Sequence, residues 1–149
     1  MAKEKETLKM KRLRPNAKLP QRATPGSTGL DLFACIDGKE TMTLAGTQPK
    51  PIPTGIAIEV PQGYDVQIRP RSGLSSKGIG VTFGTIDRDY RGEILVTMYL
   101  FDPHATFEIR HGDRIAQMVI SKVADLSLVE VEDLSSTKRG SGGHGSTGK

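Results

Sequence analysis

The feature that most restricts the fold is a succession of short segments rich in Val, Ile, Thr and Phe, separated by Gly and Pro, without a long stretch of helical period. Apolar and polar residues alternate with period two within 56–60 and 66–68, which is typical of strands. Strands are predicted at residues 8–14, 29–35, 41–44, 50–60, 64–69, 79–83, 94–101, 106–109, 113–122 and 126–130, and one helical turn at residues 72–77. This pattern predicts an all-β protein, either a β-barrel or a jelly roll.

The chain divides by composition into two parts. Residues 1–134 have the length and apolar content of one domain, whose first seven residues are expected to fray. Residues 135–149 contain only Ser, Thr, Gly, His and charged side chains, so this arm is expected to be disordered on its own. Two interpretations stay open: a tail without a role, or a lid that wraps phosphate groups with donors from Arg139, Ser146 and Thr147.

Overall composition favours an oligomer and disfavours binding to nucleic acid. Hydrophobic residues make up 36% of the chain and aromatic residues 5%, so the modest core is expected to gain stability at subunit interfaces. The net charge is +4, and much of the excess lies within residues 3–14. Because no aromatic side chains are interleaved there for base stacking, a solvated terminus is predicted and no stable nucleic-acid binding is expected.

The single cysteine and the short apolar runs indicate the cellular compartment in which the protein is expected. Cys35 lies in the apolar run 32–36 and is predicted to be a small buried hydrophobic residue, with no intrachain disulfide. No run of about 18 apolar residues predicts a membrane span, and no apolar signal region follows the basic start. A cytoplasmic location is therefore expected, with the nucleus or an organelle as alternatives.

Two polar segments flanked by glycine point to a phosphate site. In the first, Asp31 stands among apolar residues and is interpreted as a carboxylate that caps a backbone turn. In the second, Arg71, Ser72 and Gly73 follow Pro70 at the start of the predicted helical turn. Helix N-termini and Arg both favour anions, so this segment is either an anion site or a helix cap with a surface Arg.

Two further polar segments carry candidate catalytic chemistry. Residues 84–92 place Asp87 in a tight connection between apolar strands, where it is either a general base that polarises water or part of a polar hairpin loop. In residues 112–118, Arg114 and Gln117 have opposite parity along a predicted strand and are expected to face opposite sides. Residues 143–149 also fit the spacing G-x-x-x-x-G-K, but the flanking strand and helix that a P-loop needs are not predicted.

Five segments in order resemble the motifs of the trimeric dUTPase family. They are STGLDL at 27–32, PRSGL at 70–74, GTIDRDYRG at 84–92, GDRIAQ at 112–117 and RGSGGHGSTG at 139–148. The resemblance implies a distorted jelly-roll β-barrel that forms a homotrimer, with active sites at the subunit interfaces and the C-terminal arm closing over each site. It also implies hydrolysis of dUTP to dUMP and pyrophosphate, which limits uracil in DNA and supplies dUMP, with Mg²⁺ held by the triphosphate and waters.

The resemblance also assigns roles to individual residues. Asp87 would orient and deprotonate the water that attacks the α-phosphorus, and Tyr90 would lie against the deoxyribose and exclude a 2′-hydroxyl. Backbone groups of the hairpin that ends in Thr85 and Ile86 would read uracil. The substrate-binding residues implied by the resemblance are Arg71, Ser72, Gly73, Gly84, Thr85, Ile86, Asp87, Tyr90, Gln117, Arg139, His144, Gly145, Ser146 and Thr147.

Two features depart from the usual family pattern. His144 stands where many relatives carry a Phe that stacks on uracil, so His144 is predicted to cap the base with some pH dependence. The run 78–83 looks a residue or two shorter than in many relatives, and the Asn often present in the hairpin is missing. Both departures concern the base pocket.

Two other functions are compatible with parts of the pattern. A dCTP deaminase is similar in fold and phosphate motifs, but it uses a Glu on the strand after the third motif, near the position where this chain has Thr97. A non-catalytic β module would fit the composition but has no need for the polar motifs. Ammonia release from dCTP would distinguish the deaminase.

Overall fold

The computed structural model describes residues 6–38 and 40–145, and these ranges confirm the all-β prediction. The strands are β1 Lys9–Arg12, β2 Leu30–Phe33, β3 Thr41–Ala45, β4 Lys50–Pro53, β5 Ile56–Glu59, β6 Tyr64–Arg69, β7 Ile79–Val81, β8 Gly84–Ile86, β9 Leu95–Leu100, β10 Thr106–Arg110 and β11 Arg114–Lys122. One helical turn, α1, spans Ser72–Ser75. No helix in the described ranges is long and apolar enough to cross a membrane.

All strand pairs are antiparallel and form four sheets. A four-stranded sheet has the order β2-β11-β6-β8, a three-stranded sheet has the order β4-β9-β7, and β1-β5 and β10-β3 form two-stranded sheets. Within the described residues the hydrogen-bonded ladders do not close into a single barrel. The four-stranded sheet matters most for function, because it carries the first, third and fourth motifs.

The core is made by the inward-facing side chains of these strands. Leu44, Ile52, Val66 and Met98 are fully buried, each at an alternating position of its strand. Cys35 is also fully buried, and this burial raises the pKa of its thiol. A raised thiol pKa leaves little thiolate at neutral pH, so Cys35 packs as a small hydrophobic side chain, as predicted.

The strand predicted over residues 50–60 is in fact two strands, β4 and β5, because the extended backbone is interrupted at Thr54 and Gly55. Gly55 has φ of +68°, a left-handed conformation that interrupts a strand. The buried Thr54 turns its Oγ1 to donate a 2.7 Å hydrogen bond to the carbonyl of Ile94. Period-two alternation continues through the break, so the sequence pattern alone could not locate it.

Gly55→Ala is expected to destabilise the fold strongly. A Cβ at this position would lie 2.8 Å from both Ala17 Cβ and Cys35 Sγ, in addition to the cost of a positive φ. We expect a loss of about 3 kcal/mol or more in the free energy of unfolding, measured by urea denaturation. Gly63→Ala is the matched control, since Gly63 has φ of +81° and no atom within 4 Å of the added Cβ. Equal losses for both variants would contradict the close-contact argument.

The strand predicted over residues 126–130 is wrong for the single chain. This region has no regular structure, and its apolar side chains are exposed instead of paired in a sheet. The exposed fraction is 77% for Leu126, 97% for Leu128 and 77% for Val129. A strand forms only when a neighbouring edge satisfies its backbone, and no strand of the described residues pairs with this segment.

Candidate active site

Asp31 joins three of the sequence motifs through its carboxylate. It is buried on β2, and Arg71 Nε lies 3.1 Å from its Oδ1 while Arg114 Nε lies 3.6 Å from its Oδ2. Arg71 Nη1 also donates to the carbonyl of Arg114 at 3.2 Å. The interpretation of Asp31 as a turn cap is therefore wrong, because its oxygens face two guanidinium groups. Asp31 therefore pairs with two arginine side chains, a contact that the sequence pattern did not predict.

A β-bulge changes the expected arrangement of Arg114 and Gln117. The register between β11 and β2 shifts between Arg114 and Ala116, and Gln117 then pairs with Asp31 across the ladder. Directly paired residues point to the same face, so Gln117 and Arg114 both reach the Asp31 side of the sheet. The prediction that they face opposite sides is wrong, because simple parity fails where one strand gains an extra residue.

Gln117 connects the first, second and fourth motifs. Its Nε2 donates a 3.0 Å hydrogen bond to the carbonyl of Pro70, just before α1. A Cβ on Gly29 would lie only 2.2 Å from Gln117 Oε1. Gly29 is therefore a glycine because the Gln117 side chain occupies the space above its Cα. The pattern STGLDL contains this glycine, but only the packing shows what it accommodates.

The start of α1 brings the predicted phosphate donors together. Arg71 is the N-cap residue, and Ser72 and Gly73 form the first turn. The first backbone N–H groups of a helix have no intrahelical partner, and in the described chain the Arg71 side chain makes no hydrogen bond that would cap them. Arg71 and Arg114 line a cleft of about 420 Å³ together with Leu74, Phe107 and other residues. The cluster is suited to an anion.

The third motif lies on a different part of the surface. Gly84, Thr85 and Ile86 form the strand β8, whereas the sequence pattern predicts a loop there. Ile86 is buried opposite Val66, whereas Thr85 and the following Asp87 are exposed. Thr85, Ile86 and Asp87 line a cleft of about 520 Å³ whose other wall includes Tyr64, Asp65 and residues 123–125. One chain alone therefore does not place Asp87 and Arg71 in the same cleft.

Tyr90 is held close to the loop that carries Asp87. Its backbone N–H donates a 3.0 Å hydrogen bond to the carbonyl of Asp87, which closes a tight turn. Its hydroxyl donates to the carbonyl of Glu93 at 2.9 Å, and its side chain stays partly exposed. The third motif thus presents a carboxylate and an aromatic ring from one turn.

None of the described arm residues, 135–145, lines either cleft. Arg139 Nε donates to the carbonyl of Gly142 at 2.7 Å, a hydrogen bond within the arm itself. His144 and Gly145 are exposed and have φ of +48° and +92°. Ser146 and Thr147 lie outside the described residues. The substrate contacts assigned to the arm stay predictions.

Comparisons with known proteins give one consistent result. A family model described as dUTPase matches residues 15–148. The deoxyuridine 5'-triphosphate nucleotidohydrolase of Neorickettsia sennetsu is 51% identical over 134 residues, covering 87% of each chain. The enzyme of the same name from Hydrogenobaculum sp. is 50% identical over 146 residues, covering 95% of this chain and 97% of that one.

Solved structures agree with the sequence relatives. The dUTPase of Staphylococcus bacteriophage 80alpha with dUPNHPP is similar with a TM-score of 0.87 and 28% identity, covering 97% of this chain and 100% of that one. A dUTPase variant from phage phi11 of S. aureus, described with a structural Mg(II) ion, has a TM-score of 0.78 and 27% identity, covering 86% of this chain and 98% of that one. With its motifs in order, its all-β fold and these relatives, the chain belongs to the dUTPase family, whose members hydrolyse dUTP.

Proposed function

We propose that the chain hydrolyses dUTP in sites assembled between the subunits of a homotrimer. The observation that carries this proposal is the separation of Asp87 from the Arg71 cluster within one chain. Hydrolysis of a triphosphate needs the carboxylate that activates water and the cations that bind phosphate in one site. Two clefts on one chain meet this need when the Asp87 cleft of one subunit faces the Arg71 cleft of another.

Exposed apolar side chains support the oligomer. Leu126, Leu128, Val129, Val131 and Leu134 are between 56% and 97% exposed in the single chain. Burial of apolar side chains contributes roughly 1.5–3 kcal/mol each, so a segment this apolar is stabilised by covering it. A second copy of the chain supplies that cover in the proposed trimer, where the segment carries the arm toward a neighbouring subunit.

The proposed chemistry is an in-line displacement at the α-phosphorus. Asp87 accepts a proton from the attacking water, the new P–O bond forms, and the bond to the bridging oxygen of the pyrophosphate breaks. Arg71, with the backbone N–H groups of Ser72 and Gly73, neutralises and holds the phosphate oxygens. Asp31 keeps the Arg71 guanidinium in place. Gln117 fixes Pro70 and thereby the start of α1.

Mg²⁺ fits this site when it is bound to the substrate. Within the described residues no group of three or more His, Cys, Asp or Glu side chains could hold a metal ion. The buried Asp31 faces two guanidinium groups, which makes it a poor direct ligand for a cation. We therefore propose that triphosphate oxygens and waters hold Mg²⁺, which supplies charge neutralisation on the phosphates.

Specificity for the base and sugar is assigned to the third motif and the arm. Backbone groups of Gly84, Thr85 and Ile86 are proposed to match the donor and acceptor pattern of uracil, because a mismatched polar pair is costly when buried. Tyr90 lies against the deoxyribose. His144 caps the base, while Arg139, Gly145 and the neighbouring Ser146 and Thr147 close over the phosphates.

We place the enzyme in the cytoplasm. Removal of dUTP there limits the uracil available for incorporation into DNA and supplies dUMP for dTMP synthesis. The buried free thiol of Cys35 is compatible with a reducing compartment.

The proposal predicts selective release of pyrophosphate from dUTP. With Mg²⁺ present, we expect kcat/KM for dUTP to exceed that for UTP, dTTP and dCTP by about 10² or more. Adding a chelator in excess over Mg²⁺ should suppress the reaction, and sedimentation should give the mass of a trimer. Equal rates with all four nucleotides would contradict the specificity, and ammonia release from dCTP would indicate a deaminase instead.

A further inference from the structure

The Tyr90 ring packs directly onto the backbone of Gly92. A Cβ added to Gly92 would lie 2.4 Å from Tyr90 Oη and 2.5 Å from Tyr90 Cζ, closer than a carbon can approach either atom. At the same time Tyr90 Oη donates its 2.9 Å hydrogen bond to the carbonyl of Glu93. The missing side chain at Gly92 therefore makes room for the ring, and the hydrogen bond to the Glu93 carbonyl holds the ring in that space.

The carbonyl that accepts this hydrogen bond is itself rigidly placed. Glu93 Oε1 accepts a 2.7 Å hydrogen bond from the N–H of Gly55, and it also forms an ion pair with Arg14. The following residue, Ile94, is buried, and its carbonyl accepts the hydrogen bond from Thr54 Oγ1. The residue that carries the acceptor is thus held by contacts with Gly55 and Arg14 and is followed by a buried residue, whereas the Tyr90 ring is partly exposed.

We propose that Gly92 is a specificity-determining positioning residue, which keeps the Tyr90 ring where it excludes a ribose 2′-hydroxyl. This inference rests on the proposed function, in which Tyr90 contacts the sugar. Ribose and deoxyribose differ by one hydroxyl group, so the ring rejects ribose only if it cannot move aside by about an ångström. The free space at Gly92 lets the ring lie against the backbone, and the hydrogen bond to the Glu93 carbonyl holds it there.

Gly92→Ala separates this role from a role in folding. The φ of Gly92 lies outside the left-handed region, so alanine fits the backbone there. The atoms that must move are the far end of the partly exposed Tyr90 side chain, which can swing outward. We expect an unchanged melting temperature and about a tenfold fall in the ratio of kcat/KM for dUTP to kcat/KM for UTP. Gly26→Ala, with no atom within 4 Å of the added Cβ, is the matched control and should keep the wild-type ratio.

A double-mutant cycle shows whether Gly92 acts through Tyr90. In a Tyr90→Ala background, Gly92→Ala should change the dUTP to UTP ratio by less than about twofold, because the ring it displaces is gone. An unchanged ratio in the single variant overturns the inference, and so does an equal fall in both backgrounds. A wild-type protein without preference for dUTP over UTP instead overturns the role of Tyr90, before any variant is made.

Discussion

Asp87→Asn should lower kcat for dUTP by about 10²–10⁴-fold, the usual contribution of a general base. Asn keeps the size and polarity of the side chain but cannot accept the proton of the attacking water. Asp87 follows β8 directly and its side chain is exposed, so the substitution leaves no buried group unsatisfied. We therefore expect KM to change little and the melting temperature to stay at the wild-type value. Single-turnover measurement of pyrophosphate release gives the chemical step directly.

Asp89→Asn is the matched control for this prediction. Asp89 lies in the same turn, is equally exposed and carries the same charge, but has no assigned role in the site. We expect its kcat to stay within about twofold of the wild type, because solvent and salt screen the effect of an exposed charge. A wild-type rate in Asp87→Asn would eliminate the general-base role. Equal losses in both variants would indicate an effect of net charge.

Removal of residues 135–149 should abolish most activity without affecting the fold. The hydrogen bonds of this arm within the described chain, such as that of Arg139 to Gly142, lie inside the arm. Its loss therefore removes no hydrogen bond that the described arm residues make to the core, and we expect the melting temperature and the number of subunits to stay unchanged. We expect kcat/KM for dUTP to fall by about 10²-fold, because the arm supplies phosphate donors and excludes water from the site. A truncated chain with the wild-type rate would show that the arm has no role.

Asp87→Asn and the arm-truncated chain together test whether each active site is assembled from different subunits. If Asp87 and the arm that closes over it come from different subunits, a mixed trimer can contain sites with both intact. Refolding equal amounts of Asp87→Asn and the arm-truncated chain together should then restore activity in about a quarter of the sites, by random assortment of subunits. Mixing the variants without refolding is the control. Absence of recovery after joint refolding would place Asp87 and the arm on the same chain.

Much of the local structure was predictable from the sequence. The strands β6 and β9 and the turn of helix at α1 lie where the apolar alternation and the Pro and Gly residues indicated. Burial of Cys35 followed from the apolar run around it. These features depend on residues close together in the chain, so local periodicity is sufficient to indicate them.

Features that depend on distant partners were not predictable. The segment 126–130 has the composition of a strand, but no strand in the described part of the chain pairs with it. The strand is interrupted at Gly55 although the apolar alternation continues, because Gly55 takes a positive φ where Ala17 and Cys35 pack against it. In both places the local sequence favours a strand, but tertiary contacts determine whether the strand forms.

For the site, the sequence by itself determined which residue types stand in which order, and hence the family and its reaction. Only the tertiary structure decided how they meet: the bulge before Ala116 turned Arg114 and Gln117 to one side, and Asp31 became the partner of two arginines. The structure also separated Asp87 from Arg71. The physical reason is that residue order encodes chemistry and local conformation, whereas strand register, bulges and the contact of distant side chains are set by packing across the whole molecule.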